Sequence, residues 1–187
     1  MQKIILASQS PRRKQLLEWA EVEFDVIVSH ADESFPAELS FENAAVFIAR
    51  NKALSIVNTH GNKIPVLAAD TIVVCDQTII GKPSNRQEAI EFLSRLAGNV
   101  HQVITGVCIL ANEQEISFAD ITTVNFHPLT REQIIFYVDK YQPYDKAGAY
   151  AIQEWIGVVG IRGIEGDFYN VMGLPVSRVI QALADLD

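Results

Sequence analysis

Three features of the sequence predict an α/β fold with a mixed β-sheet and flanking helices. Short apolar runs alternate with amphipathic segments that open on Ser, Thr or Asn. Two long β-rich runs, 100–110 and 115–126, follow one another across only Ala111–Gln114, as the arms of a hairpin do. β-Hairpins are thus mixed with strand–helix units, which excludes a purely parallel sheet. No internal repeat, low-complexity tract or disordered linker interrupts the pattern.

In chain order, Lys3–Ala7 reads as a short buried strand. Ser10 then suits a helix N-cap and Pro11 the first helical position, with Leu16, Leu17 and Ala20 toward a core. Phe24–Val28 is a second strand, and Ser29–Leu39 is a polar loop. Ser40 can cap a long helix through about Val57, whose apolar stripe is Ala45, Ile48, Ala49 and Ala53. Pro65–Val74 reads as a strand interrupted by the polar pair Asp70-Thr71. Asp76-Gln77 turns the chain into Thr78–Ile80. Ser84 or Asn85 caps a helix to Ala97, which Gly98 can end. After the β-rich runs, Thr130 caps a helix to about Tyr141. Pro143–Gly173, rich in Gly and aromatics, reads as strands and loops, and Pro175–Leu186 is a final helix. A two-lobed shape is expected, with Asp139–Gly148 as one possible crossover.

The chain has 187 residues, a length that suits one domain or two small lobes. Hydrophobic residues make up 49% and charged residues 20%, which argues against disorder. Its net charge of -8 argues against non-specific binding to nucleic acid or anionic membrane, since both would repel it. The charge is unevenly placed. Lys3, Arg12, Arg13 and Lys14 form a basic block, and an acid-rich stretch from Glu18 to Glu42 follows directly. The first apolar run is too short for a signal peptide or membrane span. Cys75 and Cys108 each sit in an apolar run and read as buried, reduced thiols of a cytosolic protein. The four histidines show no metal-ligand spacing with either cysteine.

The strongest local signal is Ser8-Gln9-Ser10-Pro11-Arg12-Arg13, between a strand and a helix. Backbone N–H groups and the positive end of the helix dipole favour an anion there. Two serine hydroxyls and two forked guanidinium groups add matching donors for phosphate. No G-x-x-x-x-G-K-[ST] motif is present, which disfavours a P-loop NTPase. Asp70 places an acid where burial is expected. It must meet a cation, a donor set or a cleft, and reads as a metal ligand, a general base or a buried cap. Glu33 taken alone is a solvated loop acid. Lys82, in Gly81-Lys82-Pro83, is either a point charge for phosphate or a surface turn residue. Lys52 interrupts an apolar stripe and either snorkels or meets an anion. Lys146 is equally open. Together, these groups suit hydrolysis of a phosphoanhydride, which needs neutralised phosphates, a hard cation and an activated water.

Six blocks in order resemble the Maf family of nucleoside triphosphate pyrophosphatases, nearly end to end. They are Leu6–Arg13, Ala69–Val73, Gly81–Pro83, His101–Val107, Asp145–Gln153 and Gly166–Pro175. The resemblance implies a single domain over 1–187, with the inosine triphosphatase-like fold in two lobes around a cleft. It implies cleavage between the α and β phosphates of a nucleoside triphosphate with Mg²⁺ or Mn²⁺. By that pattern Asp70 is the general base. Ser8, Ser10, Arg12, Arg13, Lys52 and Lys82 contact phosphates, and Glu33 with Asp70 holds the metal. Arg13, Thr71 and Gln153 match the branch that hydrolyses dTTP and UTP. The sister branch, acting on 7-methyl-GTP, differs there, and a nucleotide-sensing regulator of septum formation is the non-catalytic alternative. The Gln153 amide offers a donor and an acceptor to the O4/N3–H edge of thymine or uracil. Many members continue after this Gln with Gly, whereas Glu154-Trp155 follow here. A cytoplasmic setting and a homodimer are implied as well.

Overall fold

The computed structural model describes residues 2–186. Its described residues form seven strands and seven α-helices. The strands are β1 (Ile4–Leu6), β2 (Phe24–Val26), β3 (Val66–Cys75), β4 (Thr78–Ile80), β5 (Val100–Ala111), β6 (Gln114–Phe126) and β7 (Ile161–Glu165). The helices are α1 (Pro11–Trp19), α2 (Phe41–His60), α3 (Arg86–Leu96), α4 (Arg131–Tyr141), α5 (Trp155–Gly160), α6 (Phe168–Met172) and α7 (Val176–Ala184). The sheet order is β2-β1-β3-β5-β6-β7, with β4 on β3. β1 pairs in parallel with β2 and β3, whereas β4 and β7 pair antiparallel to β3 and β6. The sheet is therefore mixed, as the sequence predicts.

The chain divides into two compact units. One comprises the described residues up to Thr71, with Thr105–Asp120 and the segment from Gly173 onward. The other comprises Ile72–Ile104 and Ile121–Met172. The chain thus passes from one unit to the other inside β3, β5 and β6 and after Met172. The expected crossover at Asp139–Gly148 is incorrect, because that segment lies wholly within the second unit. Strands of 10, 12 and 13 residues carry the chain across instead of a linker.

In the first unit, α2 lays Ala49, Ala53 and Ile56 on Ile5, Ala7, Val66, Ala68, Cys108 and Leu110. Small alanines let the helix backbone lie close to the sheet. At Gly106 the approach is tight enough that an added Cβ would meet the Ala45 carbonyl carbon at 2.2 Å. Ser40 caps α2 by accepting from Asn43 N–H at 3.3 Å. The helix runs to His60, past the expected Val57, until Gly61 at φ 76° ends it. In the second unit α3 packs on α4. Thr130 and Gln133 form a reciprocal capping box at the start of α4, with bonds of 3.3 and 2.8 Å. Cys75 and Cys108 are buried and unbridged.

Three further expectations gain detail. Ser10 stands at the N-cap of α1 with Pro11 at the first helical position, as expected, but its side chain makes no capping bond; its backbone N–H donates to Ser8 Oγ at 3.2 Å. β3 runs as one strand through the polar pair Asp70-Thr71, whose side chains both find polar partners. Residues 143–173 hold only one strand, β7, among two short helices and a 3₁₀ turn. The Asp167 carboxylate accepts Tyr169 N–H at 2.8 Å, and this local cap starts α6 where the Gly-aromatic composition suggests a loop.

Candidate active site

The turn after β1 and the middle of β3 bring the first group of polar side chains together. Arg13, in the first turns of α1, points back at the strands. Its Nε donates to the Gly173 carbonyl at 2.8 Å, Nη1 to Ser8 Oγ at 3.2 Å and Nη2 to Thr71 Oγ1 at 3.0 Å. Thr71 Oγ1 also lies 2.9 Å from Thr105 Oγ1 on β5. Three of the guanidinium's five N–H donors are thereby fixed by protein. Burial pulls the Arg13 pKa down, and the nearby Asp70 charge opposes that shift. The group stays cationic, since arginine starts so high. Gly173 sits at φ 115°, a conformation that suits glycine, so its carbonyl can face Arg13.

A second group adjoins the first through the neighbours Asp70 and Thr71. Lys52 Nζ lies 2.6 Å from Asp70 Oδ1 and 2.6 Å from Glu33 Oε1. Lys52 and Asp70 side chains are each 12% exposed, Glu33 53%. The lysine that broke an apolar stripe therefore meets two anions, and the acid inside β3 meets a cation. The loop bearing Glu33 is tied to α2 just past Lys52. Ser29 Oγ lies 2.7 Å from Ser55 Oγ, and Ser55 in turn donates to the Lys52 carbonyl at 2.8 Å.

The second unit carries the other two expected residues. Lys82 is exposed in the loop after β4. That loop is held where Gly148 N–H donates to the Gly81 carbonyl at 3.0 Å, with Gly148 at φ 71°. Gln153 is exposed in the turn before α5. The same unit holds a buried aromatic cluster. His101 Nε2 is 2.7 Å from the Tyr150 hydroxyl, and both rings meet Phe126 edge-on at 5.2 and 5.1 Å. Burial pushes the His101 pKa down to about 4 and the Tyr150 phenol up.

Of the ten expected residues, Ser8, Arg13 and Thr71 form one network and Glu33, Lys52 and Asp70 another. Ser10 and Arg12 lie in the same strand–turn–helix segment. Lys82 and Gln153 belong to the second unit. Sequence reasoning overlooked Thr105 and Gly173. Both lie inside blocks that carry the family resemblance, but a lone threonine in a strand and a glycine before Leu-Pro signal nothing chemical by themselves.

The profile of the family described as Maf-like protein matches residues 3–186. The chain belongs to the Maf family. Its relatives include proteins named dTTP/UTP pyrophosphatase. That of Parabacteroides distasonis is 47% identical over 182 residues, covering 97% of this chain and 94% of the relative. That of Bacteroides fragilis is 46% identical over 185 residues, covering 98% and 96%. That of Bacillus mycoides is 46% identical over 187 residues, covering 100% and 97%. Among solved structures, this Maf chain is similar in fold to a HAM1 protein from Coxiella burnetii, with a TM-score of 0.51 at 15% identity over 99% of this chain and 100% of that one. The Staphylococcus aureus Ham1 protein gives a TM-score of 0.52 at 16% identity, covering 98% of each chain.

Proposed function

We propose that this Maf protein is a nucleoside triphosphate pyrophosphatase that hydrolyses dTTP and UTP to the monophosphate and pyrophosphate. The observation that carries the reading is Asp70. It is a largely buried carboxylate in mid-strand, bonded through Oδ1 to Lys52 and adjacent to the Ser8–Arg13–Thr71 network. The names of the relatives support the choice of substrate.

In this reading the turn from Ser8 to Arg13 receives the triphosphate on backbone N–H groups and hydroxyls, with Arg12 supplying charge. Lys52 and Lys82 contact phosphates as point charges. Asp70 takes the proton of the attacking water on Oδ2, while Lys52 keeps Oδ1 fixed. The water oxygen bonds to the α-phosphorus, the bond from that phosphorus to the bridging oxygen breaks, and pyrophosphate leaves with the bonding pair. Arg13 and Thr71, bonded to each other, act as one unit in substrate selection. Gln153 presents its amide to the pyrimidine edge.

A divalent cation, Mg²⁺ or Mn²⁺, fits the donor set. Glu33 and Asp70 are hard oxygen ligands that already converge on one positive charge, the Lys52 ammonium. Among the described residues they belong to no cluster of three or more metal-binding His, Cys, Asp or Glu. Waters and phosphate oxygens would complete the shell, as is usual for Mg²⁺. When bound, the cation supplies neutralisation of phosphate charge. The two buried free thiols support a reducing, cytoplasmic setting. The family match over 3–186 supports reading the chain as one domain.

A nucleotide panel with Mg²⁺ or Mn²⁺ and chromatographic product analysis tests the proposal. Preferential turnover of dTTP and UTP to monophosphate and pyrophosphate is expected. Preferential turnover of 7-methyl-GTP would assign the sister activity. Binding of dTTP without multiple turnover would assign a sensor.

A further inference from the structure

From Lys146 to Gly157, Gln153 is the sole exposed residue. It occupies the third position of a β-turn, closed where Glu154 N–H donates to the Ala151 carbonyl at 3.1 Å. Both ends of that turn are held by one phenol. Tyr137, on α4, accepts Ala151 N–H at 3.2 Å and donates its own proton to the Glu154 carboxylate. Tyr137 is 0% exposed, so it cannot itself reach a nucleotide. Glu154 has a second anchor in Lys146, whose Nζ lies 3.6 Å from Oε1. Helix α5 also presses on the turn, because an added Cβ at Gly157 would sit 1.7 Å from the Ile152 carbonyl oxygen.

A glutamine side chain is flexible, and hydrogen bonds weaken steeply when misaligned. An amide that must align its donor and acceptor needs a fixed backbone. We propose that Tyr137 is a positioning residue for base selection. Its hydroxyl, bonded to Ala151 and Glu154, fixes the turn that presents Gln153. The inference rests on the reading that Gln153 meets the base. Glu154 becomes the charged acceptor of this strap.

The test is steady-state kinetics of Tyr137→Phe, Glu154→Gln, Gln153→Ala and the Tyr137→Phe/Gln153→Ala pair on dTTP, UTP, CTP and GTP, with thermal melts alongside. Tyr137→Phe keeps the ring and its stack on Tyr141 at 4.9 Å. One charge-assisted hydrogen bond corresponds to roughly a tenfold rise in KM for dTTP and UTP, with kcat little changed. The preference for dTTP over GTP should fall by the same factor. Glu154→Gln should move it the same way, and carries the test if Tyr137→Phe does not fold. In the Gln153→Ala background Tyr137→Phe should cost no further preference. A Tyr137→Phe enzyme with lowered melting temperature but intact preference would overturn the positioning role alone. A Gln153→Ala enzyme with intact preference would overturn the base reading, and the inference with it.

Discussion

Gly106→Ala tests how closely α2 must approach the sheet for Lys52 to reach Asp70. The added methyl carbon would lie 2.2 Å from the Ala45 carbonyl carbon, 2.3 Å from Val46 N and 2.4 Å from the Ala45 oxygen. Ordinary contact between carbons needs roughly 3.5 Å, so the helix and strand must separate by about 1.3 Å. The obstacles are backbone atoms and cannot rotate aside. The cost therefore belongs at the upper end of overpacking, about 3 kcal/mol. For a chain of this size that lowers the melting temperature by roughly 6–12 °C. Lys52 sits about two turns beyond Ala45 on the same helix. A comparable displacement there would stretch the 2.6 Å Lys52–Asp70 bond out of hydrogen-bonding range. Misplacement on this scale costs about 10²-fold in turnover. Urea denaturation gives the first magnitude and saturating dTTP kinetics the second. Unchanged midpoint and unchanged kcat in Gly106→Ala would refute the reasoning. Lost stability with normal kcat would refute the link to Lys52.

Asp70→Asn should lower kcat by roughly 10²–10⁴-fold while nucleotide binding stays measurable by calorimetry, because the proposed base is lost and the proposed phosphate donors remain. Arg13→Lys should lower kcat/KM on dTTP, since one ammonium cannot serve Gly173, Ser8 and Thr71 from a fork; a kcat/KM equal to the parent's would show that the fork is dispensable. Acid should destabilise the fold through His101. Its pKa is about 4 in the native state against an ordinary 6.5, so between these values the unfolded chain binds the extra proton. Stability is full above pH 6.5 and falls as pH drops toward 4, by roughly 3 kcal/mol at most. Urea midpoints at pH 7, 5.5 and 4 check this, and His101→Phe should flatten the decline in that window.

Local signals in the sequence carry most of the fold. Ser40, Asn85 and Thr130 cap helices as their side chains suggest. Residues Asp76 and Gln77, both at positive φ, turn β3 into β4 as expected. Residues 143–173 resisted reading because their helices are too short to show an apolar period, and because the close seat of Gly157 on the Ile152 carbonyl is a backbone contact with no side-chain signal. At the site, the anomalies were legible and their partners were not. Asp70 in an apolar strand and Lys52 in an apolar stripe each demand an opposite charge, but only folding shows that they satisfy each other. Glu33, unremarkable as one acid among many, joins them because Ser29 and Ser55 pin its loop to α2. Tyr137 gave no signal, since a buried tyrosine on a helix face looks like core.

The most direct measurement follows one atom. Hydrolysis of dTTP in H₂¹⁸O by the full chain should place the label in thymidine monophosphate and leave pyrophosphate unlabelled, in line with attack at the α-phosphorus. Label in pyrophosphate, or release of orthophosphate as the sole phosphate product, would contradict the account.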